Sequence, residues 1–87
     1  MTMLIPFQEK LPQVSASAYV AEGAKLIGAV TVDEEASIWF NCVLRADIDE
    51  IRVGRRTNIQ DGTVVHLDLG QPCLIGEDVT IGHGAII

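Results

Sequence analysis

The chain has few of the anchors on which a small protein usually relies. Only four of its 87 residues are aromatic, one Trp, one Tyr and two Phe, so bulk must come from aliphatic side chains within a hydrophobic share of 48%. That composition suits thin, repeated layers better than one globular core. Two cysteines, Cys42 and Cys73, have neither metal-motif spacing nor the density of a disulfide framework, and they fit a reducing compartment. Cations are scarce as well. Six Lys and Arg stand against twelve Asp and Glu, a net charge of −6, which excludes the clustered basic surface a nucleic-acid backbone requires and leaves acidity as an aid to solubility. No run approaches the roughly 18 apolar residues of a membrane span, and the opening MTMLIPFQEK has no basic segment followed by a long apolar one. A soluble, cytoplasmic protein with no membrane partner is expected, and the length allows one domain at most.

What is present is a period of six. Val14, Val20, Leu26, Val32, Ile38 and Leu44 follow at steps of six; Val53, Ile59 and Val65 resume after a step of nine; Ile75, Ile81 and Ile87 resume after a step of ten. All twelve positions are Val, Ile or Leu, types that fill only 26 of the 87 positions, so the register is not accidental. Four residues after each aliphatic come Ala18, Ala24, Val30, Ala36, Cys42, Ile48, Thr57, Thr63, Leu69, Val79 and Ala85, mostly small or β-branched. Even spacing puts both columns on one face of an extended strand, pointing inward. Next to the turn stand Gly23, Asn41, Asp47, Gly62, Asp68, Asp78 and Gly84, types that tolerate positive φ.

A period of six matches neither an α-helix nor a coiled coil. Three hexapeptides close one triangular coil of a parallel β-helix, and the aliphatics group as 14/20/26, 32/38/44, 53/59/65 and 75/81/87. The all-β chain therefore makes about four coils over residues 14–87, after an N-terminal lead-in or cap over residues 1–13. The two irregular steps are expected as loops, Arg45 to Arg52 with three extra residues and His66 to Leu74 with four.

Coil alignment stacks residues distant in sequence at the strand spacing of roughly 4.8 Å. His66 is expected above Arg45, and His83 above Asp61. The two histidines fall at different corners, so one chain does not bring both to one ion, whereas a neighbouring protomer in a three-fold ring does. Plainer roles exist for each residue: a solvated imidazole, a surface ion pair for Arg45 and Asp47, turn formers for Gln60 and Asp61, interface or packing aromatics in Trp39 and Phe40, and a small core residue in Cys42.

The runs NCVLRAD (41–47), NIQDGTVVH (58–66) and IGHGAII (81–87) resemble gamma-class carbonic anhydrases, and the hexapeptide rule is that of the bacterial hexapeptide-repeat transferases and their relatives. The resemblance implies a left-handed β-helix and, in the full-length family, zinc-hydroxide hydration of carbon dioxide to bicarbonate. It makes His66 and His83 two of three metal-binding histidines, the third following Ile87. Gln60 and Arg45 become catalytic residues, and Asp47 and Asp61 interface or structural ones. Zinc is the implied cofactor, with iron or cobalt able to occupy similar imidazole sites, and a homotrimer with an interfacial metal site is the implied assembly. The resemblance also implies later coils and a terminal helix, so a chain ending after the fourth coil is expected to have weak or no activity. Ile48 after Asp47, and Asp68 as the sole acid in the loop from Leu67 to Leu74, depart from the family's proton-shuttle carboxylates. A non-catalytic assembly module and a hexapeptide acyltransferase relative are the alternatives.

Overall fold

The computed structural model describes residues 3–67 and 70–87, all in strands, turns and connections. Ten strands follow in order: β1 (Met3–Ile5), β2 (Gln13–Val14), β3 (Tyr19–Val20), β4 (Lys25–Val32), β5 (Ser37–Ile38), β6 (Val43–Val53), β7 (Asn58–Ile59), β8 (Val64–Val65), β9 (Cys73–Ile75) and β10 (Thr80–Ile81). Every strand pairing is parallel. The expected stacks are present as three aliphatic columns. Val14 pairs with Val32, Val32 with Val53 and Val53 with Ile75 on one face. Val20, Ile38, Ile59 and Ile81 stack on the second, and Leu26, Leu44 and Val65 on the third. A parallel bridge from Val64 to Ile86 carries that register to the end of the fourth coil.

The lead-in does more than precede the coils. β1 pairs with β4 and seats Leu4 beneath Leu26, so the third column begins one rung earlier than the hexapeptide count placed it. The step of ten from Leu4 to Val14 repeats the step from Val65 to Ile75 and is the signal that marks it. No helix of the described residues is long and apolar enough to cross a membrane.

Inside, the columns are fully buried from Leu26 to Val65. Ala24, Val30, Ala36, Cys42, Thr57 and Thr63 fill the inward positions as expected. The Thr57 hydroxyl donates to the Gly76 carbonyl and accepts from the Val79 amide, while Thr63 donates to the Gln60 carbonyl at 2.8 Å. The hydroxyls tie successive rungs together, and a buried polar group without such partners would cost stability. Glycine is required at position 54 by close approach, since a Cβ there would lie 2.5 Å from the Gly76 carbonyl oxygen.

Three expectations are corrected. Residues 45–52 are not a loop: β6 runs unbroken through them and takes up the extra residues as a bulge, between the Gly28–Ala46 and Val30–Ile51 pairs. Pairing on both sides of the bulge keeps the strand in register, and only residues 47–50 leave the ladder. In consequence Ile48 does not point inward but is 45% exposed, and Ile51, fully buried, takes the inward position. Asp47 lies in this bulge rather than at a positive-φ corner. The other expected corner residues among those described, Gly23, Asn41, Gly62, Asp78 and Gly84, do have positive φ, and Glu35 and Arg56 join them against type. Asp68 and Leu69, assigned above to a corner and to the inner column, lie outside the described residues.

Candidate metal-binding site

β6 alternates Leu44 and Ala46 inward with Arg45 outward, and the bulge begins at Asp47. One rung above, β8 ends at Val65 over Leu44, which sets His66 over Arg45. The three polar side chains meet. Asp47 Oδ1 is 3.0 Å from His66 Nε2, Arg45 NH2 is 3.4 Å from His66 Nδ1, and Arg45 Nε is 3.7 Å from Asp47 Oδ2. The hydrogen bond from His66, aided by the Arg45 charge, holds the Asp47 carboxyl below its usual range.

A second station occupies the adjoining face and corner. Asp61 and His83 stack as expected, Asp61 Oδ1 lying 3.9 Å from His83 Nδ1, with the Gly84 amide bonded to the Asp61 carbonyl at 2.9 Å. Gln60 belongs here and not beside His66. Its amide donates to Asn58 Oδ1 at 3.3 Å, and Asn58 in turn donates to Thr80 at 3.1 Å. Ser37, Trp39, Asn58, Gln60, Asp61 and His83 line a shallow groove. Trp39 donates to Ser37 at 3.0 Å and tilts against Tyr19, ring centres 5.0 Å apart. Asn58 and Thr80 were not singled out from the sequence. Their signal was available, since both directly precede an inward aliphatic of the second column. Cys42 is buried, bonds the Gln60 carbonyl, and has its thiol pKa raised by burial, as suits a core residue.

The structure thus joins Arg45, Asp47 and His66, and separately Gln60, Asp61 and His83. Among the described residues no three His, Cys, Asp or Glu side chains converge to hold a metal ion. Each imidazole nevertheless has a carboxylate beside it, the arrangement that orients histidine ligands in metal sites. The donors therefore fit two half-sites rather than one closed site.

These coils and half-sites define a hexapeptide-repeat parallel β-helix with carboxylate-backed histidines. No family model matches the chain. A carbonic anhydrase of Geobacillus kaustophilus is 41% identical over 85 residues, covering 98% of this chain and 47% of that protein. The mitochondrial gamma carbonic anhydrase 2 of Arabidopsis thaliana is 45% identical over 85 residues, covering 91% of this chain and 31% of that protein. The crystal structure of a hexapeptide transferase family protein from Anaplasma phagocytophilum superposes with a TM-score of 0.92 at 46% identity, covering 97% of this chain and 49% of that one. The chain spans half the length or less of these relatives. Over nearly all of its own length the chain is similar to gamma carbonic anhydrases and to hexapeptide transferase family proteins, and it folds as a parallel β-helix of hexapeptide repeats.

Proposed function

We propose that this chain supplies two ligands, His66 and His83, to a zinc site shared between adjacent protomers of a homotrimer, and that the protein hydrates carbon dioxide to bicarbonate. The observation that supports this most is the His66 station, where a carboxylate and a guanidinium flank one imidazole. The Val64–Ile86 register carries the column of Arg45 and His66 onward to the position following Ile87, where the resemblance expects the third ligand. A bound zinc ion would acidify water toward neutral pH, and iron or cobalt would suit the same donors. The chain's own residues do the positioning. Asp47 orients His66, Asp61 orients His83, Arg45 organises the first station, and Gln60 presents an amide oriented by Asn58 toward the solvent next to His83. A cytoplasmic setting belongs to this proposal.

The test joins metal content, molar mass in solution and carbon dioxide hydration. Zinc in a trimer, lost in both His66→Ala and His83→Ala, supports the reading, with weak or no hydration expected from these 87 residues alone. Metal-free protein in every arm sinks it. An exposed Ile48 directly after Asp47 favours a second reading, a non-catalytic assembly module, and a stable metal-free oligomer would decide for it.

A further inference from the structure

We propose that Thr80 is a positioning residue for Gln60, acting through Asn58 to hold the Gln60 amide by its nitrogen and leave its carbonyl oxygen for a ligand beside His83. The proposal rests on the reading of Gln60 and His83 as parts of one half-site.

On the outer surface of the second face two columns run side by side, because residues i and i+2 of a strand point the same way. Tyr19, Ser37, Asn58 and Thr80 stack in the first, paired rung to rung. Two residues further along each strand stand Ala21, Trp39, Gln60 and Gly82. Where the second column has a polar group, the first column holds it. On the second coil the Trp39 indole N–H donates to Ser37 Oγ at 3.0 Å, and on the third Gln60 Nε2 donates to Asn58 Oδ1 at 3.3 Å. On the fourth coil the same place is Gly82, where a Cβ would meet nothing within 4 Å. Thr80 thus has no side chain on its own coil to hold. It accepts instead from Asn58 Nδ2, 3.1 Å away on the coil before.

A polar chain therefore runs from Gln60 through Asn58 to Thr80 and ends on a hydroxyl. A primary amide has donors on nitrogen and acceptors on oxygen, and both ends of the Asn58 amide are in use. Gln60 Oε1 has no protein partner among the described residues, and it remains an acceptor in the groove that Gln60 lines with Trp39, Asp61 and His83. Without the Thr80 hydroxyl, Asn58 keeps one of its two bonds. An amide anchored at one end is free to turn, and Gln60 turns with it. Thr80 itself is exposed, so exchanging its hydroxyl for a methyl acts on the amides and leaves the core alone.

The test uses the 15N-labelled 87-residue chain and compares side-chain amide relaxation in wild type, Thr80→Ser and Thr80→Val, each with and without zinc chloride. The exposed amide of Gln13 is the internal reference. Gln60 should be as ordered as Asn58 in wild type and in Thr80→Ser, which keeps the hydroxyl. In Thr80→Val, which keeps the shape, the held Gln60 rotamer should lose about fivefold in population, the equivalent of one neutral hydrogen bond, and its order should fall toward that of Gln13. A urea midpoint matching wild type marks this loss as local, whereas a midpoint that falls with it makes Thr80 merely structural and overturns the role. Zinc should shift Gln60 together with His83 in wild type. If Gln60 is equally ordered in all three chains, or as loose as Gln13 in wild type, the positioning role is overturned, and a zinc shift at His83 then leaves the metal reading standing. If Thr80 orders Gln60 but zinc shifts neither Gln60 nor His83 in any chain, the half-site reading falls and takes the role with it.

Discussion

The two histidines sit on coils of the same geometry yet live in different surroundings. His66 is 36% exposed, with Asp47 on one ring nitrogen and Arg45 on the other. His83 is 73% exposed, and its carboxylate neighbour stands 3.9 Å away. The cause is a departure from the repeat. Three extra residues bulge out of β6 after Ala46 and bring Asp47 beside His66. No such insertion lies beneath His83, and its neighbours Gly82 and Gly84 have no side chains to cover it. The repeat lays out positions, while interruptions of the repeat build surroundings. One imidazole is held by its neighbours and the other is left open to solvent.

The comparison can be broken from below. Leu44→Ala removes a fully buried side chain directly preceding Arg45, and should cost about 3 kcal/mol of stability in urea unfolding. The held station should loosen with it, with the His66 resonances moving more than those of His83. Thr63→Val acts on the other side. It removes the hydroxyl that ties the Gln60 and Gly82 carbonyls, should cost about 1 to 2 kcal/mol, and should shift His83 rather than His66.

The smallest effect sharpens the contrast through acid. Asp47 is held below its usual range by His66, and Asp78 by Arg56. The folded chain therefore binds these protons less tightly than the unfolded chain. Their contribution to stability is complete above the ordinary aspartate range and is lost as pH falls through the lowered values. Carboxyl titration by NMR should show Asp47 returning toward the ordinary range in His66→Ala and unmoved in His83→Ala.

Much of this was legible in the sequence. The three columns, and the stacking of His66 over Arg45 and His83 over Asp61, follow from counting, because every inward position must be apolar and each rung repeats the one below. Leu4 is equally legible, ten residues before Val14 as Val65 is before Ile75. The path of residues 45–52 was not legible, since an insertion of three can be a loop or a bulge, and forward counting then chose Ile48 over Ile51. Nor could residue type announce the positive φ of Glu35 and Arg56. There the coil imposes the corner: Arg56 is tied through its amide to Glu34 and through its side chain to Asp78.

By itself the sequence determined the β-helix, its three aliphatic columns and the placing of the two histidines in different columns, because a six-residue period of inward aliphatics fixes which face each residue occupies. Only the tertiary structure decided what each histidine touches. His66 bonds Asp47 nineteen residues away and faces Arg45 twenty-one residues away. Which of their atoms meet depends on how the bulge turns the backbone, and a repeat pattern cannot encode that where the repeat itself is interrupted.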